Sequence, residues 1–321
     1  MIARLTLACL LMLGVAHAEW EPLAALPEPN GGFATGFVDG RLIVAGGTNW
    51  KGDTKHWLDV IWSYDPAANR WSVVGKLPQP CAYAASGVID GRLIIASGSD
   101  GQTALKDVIS LDGTGKSQKL GEMPAGRIYS AATVLNNELL IAGGATDPAE
   151  LKTLTTTMFR LSIKGSRVVL FDEPPVAREG FGIASAAAAG ERAFVFGGAR
   201  YHAATQVRNL RTIQVLNATE PKAQLPVATR GLSAVALSEQ HIYVAGGYGS
   251  DEQGFSDQAW IFLATTGKLT PAKGLPIRGM VHFASDGEWL YCLGGEDQKK
   301  HRSDRMWRIQ MEELLSAVVP P

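Results

Sequence analysis

Cysteine is scarce in this chain of 321 residues. There are three, and Cys9 sits in an apolar leader. Cys81 and Cys292 lie far apart in the repeat described below, so two partly buried free thiols are expected rather than a disulfide. No Cys-x-x-Cys or His-Glu-x-x-His occurs, which leaves the common zinc arrangements without ligands. His56, His202, His241, His282 and His301 show no clustered spacing. A copper radical oxidase of the galactose oxidase type, which needs two imidazoles and a Tyr–Cys cross-link, is disfavoured for that reason. No metal and no cofactor is expected.

An excess of charge is missing too. Thirty Lys and Arg oppose thirty-one Asp and Glu, a formal charge of −1, with no polybasic run and no acidic tail, so a nucleic-acid partner is excluded. The apolar run Leu5 to Val15 is too short to span a bilayer. Arg4 precedes it and Ala16-His17-Ala18 follows, with small residues at positions −3 and −1 of a cleavage site. Residues 1–18 are therefore expected to be a signal peptide, with a periplasmic or secreted mature chain free of the membrane. No linker or low-complexity stretch interrupts residues 19–321, read as one domain; a monomer is the default, no oligomerisation stripe being visible.

Glycine, by contrast, is abundant, with 36 residues, and much of it is periodic. Six apolar tetrapeptides each lead into a small pair: Leu42–Ala45 into Gly46-Gly47, Leu93–Ala96 into Ser97-Gly98, Leu139–Ala142 into Gly143-Gly144, Ala193–Phe196 into Gly197-Gly198, Ile242–Ala245 into Gly246-Gly247, and Leu290–Leu293 into Gly294-Gly295. The second members are 51, 46, 54, 49 and 48 residues apart, the period of kelch-type blades of four antiparallel strands. A β-sandwich would not repeat in phase six times. Pro-containing dipeptides recur before each pair, from Leu26-Pro27 to Leu275-Pro276, and suit links between blades. Asp39-Gly40, Asp90-Gly91, Asn136-Asn137 and Asp286-Gly287 read as hairpin turns. The fold class is thus all-β, a six-bladed kelch-type propeller. Its last blade lacks an outer strand, which Glu19 to Leu23 should supply, closing the ring. Met311 to Leu315 reads as a short helical tail.

Propeller topology gathers the loop after each glycine pair and the start of each inner strand on one face, around the channel. This brings Asn49, Asp100, Thr146, Arg200, Tyr248 and Glu296 toward Asn30, Tyr83, Arg127, Tyr129, Arg178, Arg230, Arg278 and His282. Arginines concentrated there in a nearly neutral chain point to an anionic ligand.

The sharpest local constellation is Gly295-Glu296-Asp297-Gln298-Lys299-Lys300-His301-Arg302-Ser303-Asp304, a carboxylate directly after the glycines and an Arg six residues on. It resembles the Gly-Glu-x5-Arg-Thr-Asp loop of the bacterial sialic acid (N-acetylneuraminate) mutarotases, periplasmic six-bladed kelch propellers, with Ser303 in place of Thr. Gly31-Gly32-Phe33-Ala34-Thr35 and Ala45-Gly46-Gly47-Thr48-Asn49-Trp50, then Lys55, resemble the blade that follows in that family, with Trp50 where Phe is usual and Cys81 where the bacterial enzymes carry Arg. The mature chain thus looks like a cyclically permuted member. The resemblance implies a sugar anomerase acting on sialic acid or a related sugar acid, with Glu296 as base and Arg302 on the sugar carboxylate or the open-chain oxyanion. Asn30, Phe33, Asn49, Lys55, Tyr83, Asp100, Arg127, Arg178, Arg200 and Arg278 are the expected substrate contacts. The general acid is left open among Tyr83, Tyr129 and His282, and a non-catalytic propeller binding a glycan or a partner protein remains the alternative.

Overall fold

The computed structural model describes residues 19–316 apart from 176, 178, 204–205 and 217–220. The expected signal peptide and Arg178 lie outside the described residues. Six four-stranded antiparallel sheets stand around a central channel. Their inner strands are Ala34–Val38, Ala85–Ile89, Ala131–Leu135, Ser185–Ala189, Ser233–Ala236 and Met280–Ser285. In the first blade the chain continues through Arg41–Ala45 and Val60–Asp65 to the outer strand Arg70–Lys76, hydrogen-bonded in that order.

The apolar tetrapeptides form the second strands, which are continuous rather than alternating because both of their faces are covered by neighbouring blades. Leu42, Ile43 and Val44 are all fully buried. Ile43 and Ile61 pack with Leu93, Ile95 and Leu111 of the next blade. On the opposite face Leu42, Val44 and Tyr64 pack with Tyr291, Leu293 and Met306 of the last. The core is therefore a ring of interblade seams.

The turns and glycines have separate tasks. Asp39 and Gly40 both take positive φ, 51° and 72°, the backbone of a two-residue hairpin turn matched to strand twist. Gly47, at φ +102°, donates its N–H to the Cys81 carbonyl of the next blade at 2.8 Å, and a Cβ there would collide with the Asn30 side chain. The bond recurs in every blade: Gly98 to Arg127, Gly144 to Phe181, Gly198 to Thr229, Gly247 to Gly279, and Gly295 back to Asn30 at 2.8 Å, which joins the last blade to the first.

The outer strand of the last blade comes from the N-terminal segment. Glu21 lies opposite Arg308 and Pro22 opposite Trp307. This strand is shorter than the expected Glu19 to Leu23, since Pro22 has no N–H for the ladder. Around it, Leu23 N–H reaches the Met306 carbonyl at 2.9 Å, Glu21 pairs with Arg308 at 2.9 Å, and the Trp20 indole N–H donates to the Gly274 carbonyl at 2.8 Å. The tail Met311–Ser316 is helical, with Leu314 buried in the seam between the last two blades. Cys81 and Cys292 are buried free thiols.

Candidate active site

The channel mouth is framed by backbone in an unusual conformation. At the start of five inner strands Gly32, Tyr83, Tyr129, Ile183 and Gly231 have φ between 53° and 74°. Their amides are chained around the opening: Tyr83 N–H to Gly32 O at 2.6 Å, Tyr129 to Tyr83 at 3.2 Å, Ile183 to Tyr129 at 2.9 Å and Gly231 to Ile183 at 2.8 Å. Left-handed backbone costs about 1–3 kcal/mol at a residue with a Cβ and is sterically worst for a β-branched one such as Ile183. This interblade chain holds it in place and turns Tyr83 and Tyr129 toward the channel axis.

Above this arc lies a funnel of about 600 Å³. Its lower wall carries the small side chains Thr35, Ser86, Ala132, Ala186 and Ala234. Phe33, Trp50, Tyr83, Tyr129, His282 and Phe283 form an aromatic wall, and the charged groups are Lys55, Arg230, Glu296 and Arg302.

The loop after Gly295 folds back, Ser303 N–H bonding Gly295 O at 2.9 Å, and this brings Glu296 and Arg302 side by side. The Arg302 side chain is only 4% exposed, that of Glu296 24%. Every guanidinium nitrogen is engaged: Nη1 donates to Glu296 Oε2, Nη2 to the Tyr83 hydroxyl at 2.9 Å, and Nε to Thr48 Oγ1 at 3.3 Å. Thr48 stands on the hairpin Thr48–Lys51 and Thr54–Trp57, which also presents Trp50 and Lys55, paired across it on one face. The Lys55 ammonium lies 4.6 Å from the Tyr83 ring centroid and 4.9 Å from that of Trp57. A second hairpin tie crosses the mouth, from Lys300 Nζ to Asp53 at 2.7 Å.

Electrostatics follow from these contacts. Burial by itself raises the Tyr83 hydroxyl, but the Arg302 guanidinium and the Lys55 ammonium outweigh it and hold Tyr83 below the usual phenol range. Tyr129 is pushed up by burial and by its neighbour Tyr83. Burial and the Arg302 charge push His282 down to about 4, and its Nε2 accepts the Gly32 N–H at 2.9 Å, so the ring is neutral at pH 7. Arg302 loses stability as a cation through burial but gains more from Tyr83 and Glu296, and stays charged.

Of the residues expected to meet substrate, the funnel brings together Glu296, Arg302, Phe33, Lys55 and Tyr83. The others point elsewhere. Asn30 is fully buried beneath Gly47 and donates to the Gly46 carbonyl at 2.9 Å; Asn49 faces away from the funnel and binds Glu28 at 2.7 Å. Asp100 caps its own loop through the amides of Gln102 and Thr103. Arg127 is buried with its guanidinium over Phe159. Arg200 pairs with Glu179 at 2.5 Å, and Arg278, 71% exposed, with Asp257 at 3.6 Å. The expected arginine rim is thus reduced: among the described candidates only Arg230, braced by Asn209 at 2.9 Å and stacked on Tyr248, lines the funnel with Arg302. Trp50 was not singled out as a contact, although its place opposite Lys55 on the hairpin is the kind of signal alternation provides. Among the described residues no group of three or more His, Cys, Asp or Glu is placed to hold a metal ion.

Comparison with known proteins agrees with this architecture. The Kelch motif model matches residues 29–78. The chain is 32% identical to the N-acetylneuraminate epimerase of Brucella suis over 32% of this chain and 32% of that protein. It is 30% identical to the enzyme of the same name from Haemophilus influenzae, over 30% and 32%. The chain thus carries a kelch motif and is similar, over about a third of its length, to the N-acetylneuraminate epimerases. Human Kelch-like protein 33 is 31% identical over 30% of this chain and 17% of its own length. The kelch chain thus matches a third or less of the length of these curated relatives. The solved structure of YjhT superposes with a TM-score of 0.67 at 17% identity, covering 78% of this chain and 86% of that one, a likeness of fold.

Proposed function

We propose that this propeller is an anomerase (mutarotase) that interconverts the α and β forms of N-acetylneuraminic acid or a related sugar acid, and that it works outside the cytoplasm after removal of residues 1–18. The observation that carries the reading is Glu296, a carboxylate fixed by Arg302 in a funnel that also holds two cations, Lys55 and Arg230, with no ion-paired carboxylate among the described residues. Glu296 and Arg302 offset each other, so the funnel keeps a net positive charge for an anionic ligand. The names of the epimerase relatives support the substrate class.

Anomer exchange needs a base for the anomeric hydroxyl and an acid for the ring oxygen, and nothing is oxidised. Glu296 binds Arg302 through Oε2, which leaves Oε1 to take the hydroxyl proton. In this reading Arg302, its side chain only 4% exposed, orients Glu296 rather than clasping the sugar carboxylate, and Lys55 and Arg230, which line the funnel, take that contact. The aromatic wall and the small residues below it accept the apolar face of a pyranose ring.

A freshly dissolved single anomer, followed by optical rotation with and without protein, tests this. Faster relaxation is expected. Binding by calorimetry with unchanged relaxation would assign the funnel to a non-catalytic glycan receptor instead.

A further inference from the structure

Resting on the anomerase reading, we infer that Tyr83 is the general acid that protonates the ring oxygen as the sugar opens, its hydroxyl aimed by Arg302 and Thr48. Tyr83, Tyr129 and His282 are the three funnel side chains weighed for this acid, and their surroundings separate them. Nε2 of His282 is occupied by the Gly32 amide and its ring stacks on Phe33, 4.1 Å between centroids. Tyr129 packs at 4.8 Å from Tyr83, and burial makes it a reluctant acid.

Tyr83 differs in what its oxygen touches. Arg302 Nη2 donates to it at 2.9 Å, so that side of the oxygen accepts. Thr48 Oγ1 lies 3.2 Å away on another side. The single Thr48 proton goes to the Gly31 carbonyl at 3.0 Å, and Arg302 Nε fills one of its lone pairs; in the remaining contact, therefore, tyrosine is the donor. The phenolic proton rests on a neutral hydroxyl, from which it can turn to a ligand. The oxygen left behind keeps the Arg302 N–H and the nearby Lys55 ammonium, both of which stabilise a phenolate. Room for the ring is built in: a Cβ on Gly32 would sit 2.5 Å from Tyr83 Cε1.

The step balances. Glu296 takes the anomeric hydroxyl proton, the bond from the anomeric carbon to the ring oxygen breaks, and its electron pair stays on that oxygen, which takes the Tyr83 proton. The open-chain carbonyl, a protonated Glu296 and a Tyr83 phenolate result. After rotation the hydroxyl attacks the other carbonyl face, returns its proton to Tyr83, and the carbonyl oxygen recovers one from Glu296.

The test is the anomerisation rate of N-acetylneuraminate against pH for the wild-type chain, Tyr83→Phe and Lys55→Met, with melting temperature as the folding control. Tyr83→Phe should lower kcat by about 10²–10⁴-fold with KM changed by less than about threefold. The wild-type rate should fall on the alkaline side as Tyr83 ionises, and that limb should vanish in Tyr83→Phe. Lys55→Met, whatever its effect on binding, should move the limb to higher pH, because removing a cation makes the phenol harder to ionise. A folded Tyr83→Phe at the wild-type rate, or a limb unmoved in both variants, overturns the acid role alone. A wild-type chain that does not accelerate the exchange overturns the anomerase reading, and the acid role with it.

Discussion

The Glu296–Arg302 pair is unequally buried, and that inequality sets which partner the fold can least do without. Replacing Arg302 by Met removes the buried charge together with three hydrogen bonds, and leaves Glu296, whose side chain is 24% exposed to the funnel, able to recover water. Replacing Glu296 by Leu instead leaves a guanidinium 4% exposed, with only Tyr83 and Thr48 for partners. Orphaning a buried charge typically costs about 3–5 kcal/mol, whereas a charge-assisted hydrogen bond contributes about 1.5–3 kcal/mol. Glu296→Leu should therefore destabilise by about 3–5 kcal/mol, and Arg302→Met by only about 2–3 kcal/mol, because removing the guanidinium also relieves its desolvation penalty and so offsets much of the loss of its three hydrogen bonds. The double variant should fall well short of the sum, since each change relieves the other's penalty. Urea unfolding with the slopes compared gives all three values. An Arg302→Met protein less stable than Glu296→Leu, or strict additivity, would refute the premise that the cation depends on the carboxylate.

Two further outcomes follow from the same structure. Trp20→Ala removes a half-buried indole that packs on the seam of the last two blades and bonds Gly274, so ring closure should weaken by about 2 kcal/mol; a thermal melt should drop by about 4–8 °C, and an unchanged melt would mean that the N-terminal strand does not hold the ring. His282, near 6.5 when unfolded and about 4 when folded, stays neutral in the native protein while the unfolded chain takes up a proton. Its contribution should be complete above pH 6.5 and decline as pH falls toward 4, by at most about 3 kcal/mol and less where funnel water reaches the ring; unfolding curves of His282→Gln should lack this part of the acid slope.

The sequence disclosed the blades because each second strand must be apolar on both faces and each glycine must bring its amide against the next blade. It disclosed Glu296 and Tyr83 because topology carries their segments to one mouth, and Arg302 and Lys55 through the resemblance of their loops to those of the mutarotases. Direction within those segments was harder to read. Asn30, Cys81, Arg127, Phe181 and Thr229 share the position whose carbonyl receives the glycine amide, and the Asn30 and Arg127 side chains lie buried away from the funnel. Two residues later the left-handed turn points Tyr83 and Tyr129 inward. A reading that places whole segments at the mouth cannot separate these two positions. Likewise Trp50 and Lys55 pair across the hairpin on the funnel side while Asn49 and His56 pair on the other, a consequence of two-residue alternation that appears only once the hairpin register is known. Asp100, expected in the site, is engaged by the amides of its own turn, the frequent local alternative for a short acidic side chain.

The measurement closest to the main claim is proton NMR of the axial and equatorial C3 protons of N-acetylneuraminate, dissolved as one anomer, with the wild-type chain and with Glu296→Gln side by side. Gln keeps an oxygen for Arg302 but cannot take the proton. The wild-type chain should shorten the approach to equilibrium, and folded Glu296→Gln should be slower by about 10² or more while still binding the sugar. Equal rates for the two proteins would remove Glu296 from the chemistry, and equilibration no faster than in buffer would contradict the account as a whole.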